Sequence, residues 1–202
     1  LEGMVYLSSL EIYGVNEKEN IKERNYGYID ILNPRSSYSE SKKMVETMCI
    51  SYGTEYGVPV KIARLAQTFG AGVSISDNRV FAQFAKAIIN KENIILHTKG
   101  ETKRNYCYST DAVRGIFTIL TKGENNNAYN VANENSYCSI SEMAHLLENE
   151  YTKVEYKIDE VNRGYNPTAK IALNTEKLNA LGWEAKVNLK EMFDRLIMNF
   201  GK

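Results

Sequence analysis

The sequence is short of the residues that hold metals and staple small domains. Its 202 residues include three cysteines, Cys49, Cys107 and Cys138, and two histidines, His97 and His145. The cysteines show no Cys-x-x-Cys spacing and leave one over. That argues against a zinc site and a disulfide framework, and fits a reducing compartment. An excess of charge is missing too, since 25 Lys and Arg balance 25 Asp and Glu. Without a global positive field, nothing draws nucleic acid or an anionic membrane, and any phosphate must be held by local groups. No apolar run approaches the roughly 20 residues that cross a bilayer. The opening stretch LEGMVYLSSLEIYG has no basic region followed by an apolar one, so it does not read as a signal peptide. The expectation is a cytoplasmic protein with no nucleic-acid partner, no membrane partner and no metal.

What is present is ordinary globular material, 43% hydrophobic and 25% charged. Met4–Ser8 is a short apolar run that predicts a buried strand. Val15 to Ile29 is polar and predicts a surface loop. Pro34 precedes a helix over about 37–56, with Val45, Met48, Cys49 and Tyr52 forming its apolar face and Gly57-Val58-Pro59 ending it. Val60–Leu65 predicts a second strand. Further helices are expected over 79–91, over 111–120 capped by Ser109 or Thr110, from Ser139 to about Glu148, and over 175–181 and 189–200. Glu142 stands three residues after Ser139, the spacing of a capping box. Short strands are expected at 94–97, 106–108, 128–131 and 154–158. Strands alternating with amphipathic helices predict an α/β domain with a largely parallel sheet, whose functional groups gather at the carboxyl ends of strands. Ser8-Ser9 and Ala66-Gln67-Thr68 stand at such ends. His97 and a buried Cys107 thiol read as structural, and Trp183 as packing in a small C-terminal lobe.

Tyr38 and Lys42 lie four residues apart at the start of the first helix, hence on one face. A free phenol loses its proton near pH 10 and is a poor base at neutrality. A neighbouring ammonium favours the phenolate, and a nearby hydroxyl can join phenol and substrate oxygen in one relay. A Tyr–Lys–Ser set can therefore move a proton on or off a carbinol oxygen while hydride leaves or arrives. Taken alone, the pair reads as ordinary helix surface.

Its surroundings decide otherwise. Ser8-Ser9-Leu10-Glu11-Ile12-Tyr13-Gly14 precedes it. Arg64-Leu65-Ala66-Gln67-Thr68-Phe69-Gly70, Lys103-Arg104-Asn105-Tyr106 and Leu181-Gly182-Trp183 follow. In this order the segments resemble the extended short-chain dehydrogenase/reductase family, in particular its nucleotide-sugar epimerases, dehydratases and decarboxylases. The resemblance runs from Val5 to about Phe200. It implies a catalytic triad of Ser9, Tyr38 and Lys42, with Tyr38, Lys42 and Ala66 touching an NAD cofactor. It implies that Gln67 (where the family has Asn), Arg79, Arg104 and Arg163 hold a nucleotide-diphosphate sugar. Such enzymes begin by oxidising a sugar carbinol, usually at C4. A 4,6-dehydratase carries Asp-Glu after the triad hydroxyl, whereas this chain has Leu10-Glu11. Leu donates no proton, and Glu11 fits the Glu of UDP-glucuronate decarboxylases. Decarboxylation therefore stands first and epimerisation second, and Glu11 also reads as a plain surface acid.

The resemblance also shows what is missing. The family holds NAD on a glycine-rich turn after its first strand, where the pyrophosphate meets a helix N-terminus. Gly70-Ala71-Gly72 has no third glycine at the required spacing and follows the wrong strand. The expectation is a chain that starts in the family's fourth or fifth strand and lacks the glycine-rich half, with Met4 as an internal-looking start. It would contribute the C-terminal half of a Rossmann-type sheet (1–70 and 109–131) and a small α+β substrate lobe (71–108 and 132–202). An exposed sheet edge would then be covered in a homo-oligomer. The alternative function is a non-catalytic binder of sugar nucleotides.

Overall fold

The computed structural model describes residues 1–16, 18–148, 150–158 and 169–201. Strands β1 (Met4–Ser9), β2 (Val60–Leu65) and β6 (Asn127–Val131) form one parallel sheet in the order β1-β2-β6. Met4 lies beside Val60, and Lys61 beside Asn127. Helix α1 (Ser37–Tyr56) connects β1 to β2, and α3 (Ser109–Lys122) precedes β6. Side chains alternate across a strand, so the β2 residues 61 and 64 point to opposite faces. Lys61 donates to the Leu120 carbonyl of α3, and Arg64 to the Glu46 carboxylate of α1. The two helices therefore cover opposite faces of the sheet.

A second sheet joins β3 (Gln67–Phe69), β5 (Lys103–Tyr108) and β7 (Asn133–Ser139) in that order, with the short β9 (Lys170–Ile171) beside β5. β3 and β5 are parallel, and β5 and β7 antiparallel. A third pair, β4 (Ile94–Leu96) and β8 (Val154–Tyr156), is parallel. The remaining helices are α2 (Val80–Ile89), α4 (Ile140–Glu148), the single turn α5 (Glu176–Asn179) and α6 (Leu189–Phe200). Among the described residues no helix is long and apolar enough to cross a membrane.

Burial divides into two clusters. One gathers Ala63, Ala112, Ile119, Tyr129 and Val131 around the parallel sheet. The other gathers Phe69, Phe81, Tyr106, Met143, Met192 and Phe193 between α2, α4, α6 and the second sheet. Phe69 stacks on Phe81 with ring centroids 4.4 Å apart and meets Phe193 at 5.1 Å. Trp183, expected in the small lobe, belongs to the parallel-sheet cluster. Its indole N–H donates to the Asp111 carbonyl at the start of α3, which satisfies a polar group that would otherwise be costly to bury.

Several other expectations need correction. Helix α1 has the expected bounds, but of its expected apolar face Cys49 is buried while Met48 and Tyr52 are not. Met48 and Tyr52 are 51% and 55% exposed, whereas Ser39, Glu46, Cys49 and Gly53 are buried. The sheet below offers an arginine, so an acid faces it, and the large apolar side chains are left outside. Helix α3 begins at Ser109 itself, with Tyr108 as its N-cap and no side-chain cap bond. The segment 15–29 is less of a loop than its polarity suggested. Val15 and Tyr28 form a β-bridge, and the fully buried Ile21 donates its N–H to the Ala172 carbonyl. Strand β7 was not expected at all, because its buried positions Asn133, Ser136 and Ser139 are polar. They are stabilised by hydrogen bonds: the Ser136 hydroxyl accepts the Tyr106 N–H and donates to its carbonyl. The capping box at α4 is present, with Glu142 N–H on the Ser139 hydroxyl at 2.9 Å and Ser139 N–H on the Glu142 carboxylate at 2.7 Å.

Candidate functional site

The carboxyl end of β1 organises the candidate site. Ser9 ends the strand in an extended conformation and caps a 3-10 turn, Leu10–Tyr13, with its hydroxyl accepting the Glu11 N–H at 3.2 Å. The turn buries Leu10, Ile12 and Tyr13 and leaves Glu11 directed away from the core. Gly14 closes it at φ +59°, and a Cβ there would meet the Tyr28 carbonyl oxygen at 2.3 Å. Glycine is therefore needed both for its conformation and for its size.

Glu11 does not stand alone. Its carboxylate pairs with the Arg104 guanidinium, brought from β5 93 residues away. Arg104, which the resemblance assigns to the diphosphate, thus already carries an acidic partner, and both side chains are largely shielded from water. Such charge-assisted pairs are strong and geometrically specific.

Helix α1 brings the second half of the site. The Lys42 ammonium donates to the Leu7 carbonyl at 2.9 Å, two residues before Ser9. It lies 5.1 Å from the centre of the Tyr6 ring and 5.7 Å from that of Tyr38. Lys42 is therefore fixed against β1 beside its own i−4 tyrosine. Tyr38 is 51% exposed, and among the described residues its hydroxyl has no partner. Ser9, Glu11 and Arg104 stand at the end of β1, and Lys42 is bonded to the same strand with the Tyr38 ring beside it.

The other expected residues are placed differently. Ala66 is buried, and its N–H is spent on the Val131 carbonyl. Gln67 follows on β3, opposite Tyr106 of β5. Arg79 precedes α2, holds both oxygens of Asp77 and stacks over Phe81 at 4.7 Å. Arg163 lies outside the described residues. Cys107 is fully buried, and burial pushes its thiol up to about 12, which keeps it protonated and poorly nucleophilic.

Sequence reasoning assigned no role to a buried network behind this site. Arg64 is 2% exposed and Glu46 7%. Their contacts are bidentate, at 3.0 Å from Nε and 2.6 Å from Nη2. The same guanidinium donates to the Tyr13 hydroxyl, the Tyr26 hydroxyl and the Glu23 carbonyl. The Tyr13 hydroxyl in turn donates to the Asn130 side-chain oxygen. Burial raises the Tyr13 phenol well above its ordinary range, against the pull of Arg64. Burial also works against the arginine's charge, but Glu46 and Tyr13 outweigh it and hold Arg64 firmly protonated. The available signal was an Arg inside an otherwise apolar strand.

The sequence profile of the NAD dependent epimerase/dehydratase family matches residues 1–132, well over half of the chain. The chain belongs to that family. Among relatives of this family member is UDP-glucuronic acid decarboxylase 5 of Arabidopsis thaliana, 28% identical over 184 residues that make up 91% of this chain and 53% of that protein. UDP-glucuronic acid decarboxylase 1 of Xenopus tropicalis is 28% identical over 205 residues, 98% of this chain and 47% of that protein. The family member thus spans about half the length of the curated relatives it matches. Its fold is also that of a dTDP-glucose 4,6-dehydratase from Bacillus anthracis in complex with NAD. That similarity has a TM-score of 0.81 at 21% identity and covers 97% of this chain and 60% of that one. A UDP-N-acetylglucosamine 4-epimerase from Methanobrevibacter ruminantium in complex with UDP-N-acetylmuramic acid gives a TM-score of 0.80 at 19% identity, covering 97% and 62%.

Proposed function

We propose that this chain carries the proton-transfer and sugar-holding part of an NAD-dependent enzyme acting on a nucleotide-diphosphate sugar. The observation that carries the reading is the Lys42 ammonium, fixed between the Leu7 carbonyl and the Tyr38 ring at the strand end that also presents Ser9 and the Glu11–Arg104 pair. Tyr38 offers an accessible hydroxyl that has no partner among the described residues, and Lys42 keeps ammonium protons beyond the one given to Leu7. Those donors fit the hydroxyl-rich ribose of a dinucleotide. Tyr38 and Lys42, with Ala66 marking the next strand end, are the residues that would hold NAD. NAD, when bound, would supply the hydride acceptor. Tyr38, as a phenolate whose charge Lys42 steadies, would take the carbinol proton and become neutral, while Ser9 hydrogen-bonds the same oxygen.

Decarboxylation is the favoured continuation, supported by Glu11 and by the relatives whose names specify UDP-glucuronic acid. A ketone at C4 is β to the C5 carboxylate, so it receives the electron pair as CO2 leaves, and little further machinery is needed. Arg104 is the proposed contact to the diphosphate, and Glu11 keeps it oriented until that anion competes for it. Gln67, Arg79 and Arg163 are the further proposed contacts to the sugar nucleotide. Calorimetry with NAD and with UDP-glucuronate tests the reading. Binding of UDP-glucuronate is expected, with NAD binding and release of CO2 once a glycine-rich half is supplied alongside this chain. Binding of the sugar nucleotide without NAD or turnover even then would leave the non-catalytic binder as the function, and binding of neither would remove both.

We also propose a second copy of this chain as the cover of β1. That strand ends the parallel sheet, and Met4 and Leu7 on it are exposed, as is Phe117 on the neighbouring α3. Open strand edges of this kind pair readily with another chain. Sedimentation at micromolar concentration is expected to give the mass of a dimer. A monomer at every concentration would discount the homo-oligomer.

A further inference from the structure

We infer that Arg64, held by Glu46, is a positioning residue that sets helix α1 against the Ser9–Tyr13 turn. The inference rests on the proton-transfer role proposed for Tyr38 and Lys42. Tyr38, Lys42 and Glu46 follow one another at i, i+4 and i+8 along α1, so each is one turn from the next. The helix is pinned to the sheet at two of these rungs. Lys42 is bonded to the Leu7 carbonyl of β1, and Glu46 to Arg64 of β2. Two fixed rungs determine how the helix is rotated and how far it has slid, and Tyr38 sits on the next rung.

The other hand of the same guanidinium reaches the second half of the site. Arg64 Nη1 donates to the Tyr13 hydroxyl at 3.0 Å and to the Glu23 carbonyl at 2.6 Å. Tyr13 ends the 3-10 turn that Ser9 begins and that carries Glu11. One buried group thus grips the helix bearing Tyr38 and Lys42 and the turn bearing Ser9 and Glu11. Its neighbours remove the slack. Tyr26 accepts from Nη2, the Tyr13 hydroxyl is anchored on Asn130, and the Glu23 carboxylate accepts the Asn130 N–H at 2.9 Å. No member of the network needs to touch substrate. Its chemical effect comes from keeping reacting groups within the narrow tolerance of a proton transfer, where a misplacement of about 1 Å can cost on the order of a hundredfold in rate.

Glu46→Gln keeps the side chain's shape but removes the charge that balances the fork, and it can be compared with wild type in two ways. The first is the proton–nitrogen resonance of the Lys42 ammonium, assigned by its loss in Lys42→Arg. The second is turnover of UDP-glucuronate with NAD, the glycine-rich half being supplied. The resonance is expected to move and kcat to fall about 30-fold, with KM within about twofold, because orientation and not binding is lost. If Glu46→Gln does not fold, Tyr26→Phe removes a single outer bond to Arg64 and is expected to move both readouts in the same direction by less. An unmoved Lys42 resonance with unchanged kcat, alongside reduced stability, would make the pair a purely structural element and overturn the inference. A moved resonance in a protein whose wild type shows no turnover would sink the proposed function and leave the positioning role standing.

Discussion

Tyr38→Phe should reduce turnover of a nucleotide-diphosphate sugar by about 10²–10⁴-fold, the usual contribution of a positioned general acid–base group. Stability should hardly change. The ring is half-exposed, and its hydroxyl has no partner to lose among the described residues. The two measurements together are diagnostic. A large loss of kcat at an unchanged melting temperature ties the effect to the proton and not to packing. A loss of less than about tenfold would assign the proton to another group, because a chemical step cannot be that insensitive to its base. The same variant should still bind the sugar nucleotide, since the arginines proposed to hold the diphosphate are untouched.

Phe193→Ala is the substitution with the largest expected effect on stability. Phe193 is fully buried on α6 and packs at 5.1 Å on Phe69, which itself stacks on Phe81. Truncation removes one end of a three-ring cluster supplied by α6, β3 and α2. A phenylalanine deleted from such a core costs about 3–5 kcal/mol. At roughly 2–4 °C per kcal/mol for a chain of this size, the melting temperature should fall by about 10 °C. Met198→Ala, on the exposed side of α6, is the control, and its effect should stay within about 0.5 kcal/mol. Equal effects of the two would show that the cluster between α2, α6 and the second sheet does not hold the small lobe together.

What could be read from the sequence followed the distance over which each signal acts. Helices α1 and α6 and strand β2 were legible because their patterns are local and the run of chain is long enough to show them. The capping box at Ser139 and Glu142 is a contact between neighbours, and it was legible for the same reason. Strand β7 was not, because its buried residues are asparagine and serine that bond to β5 and to loops remote in sequence. The inward face of α1 was misread because periodicity ranks residues by greasiness, whereas here a buried arginine on β2 selects an acid. At the site, Ser9, Tyr38 and Lys42 could be singled out by order and spacing. The partnership of Glu11 with Arg104, and that of Arg64 with Glu46, Tyr13 and Tyr26, depend on how the sheets assemble, and no local pattern announces them.

Leu10 closes one evolutionary door. It sits between the hydroxyl of Ser9 and the acid of Glu11, yet its side chain is 2% exposed and belongs to the parallel-sheet core. Placing an aspartate at this position would drive a carboxylate into hydrocarbon before it could serve any chemistry. Any chemistry that needs an acid at residue 10 would first require rebuilding the turn that now points it inward.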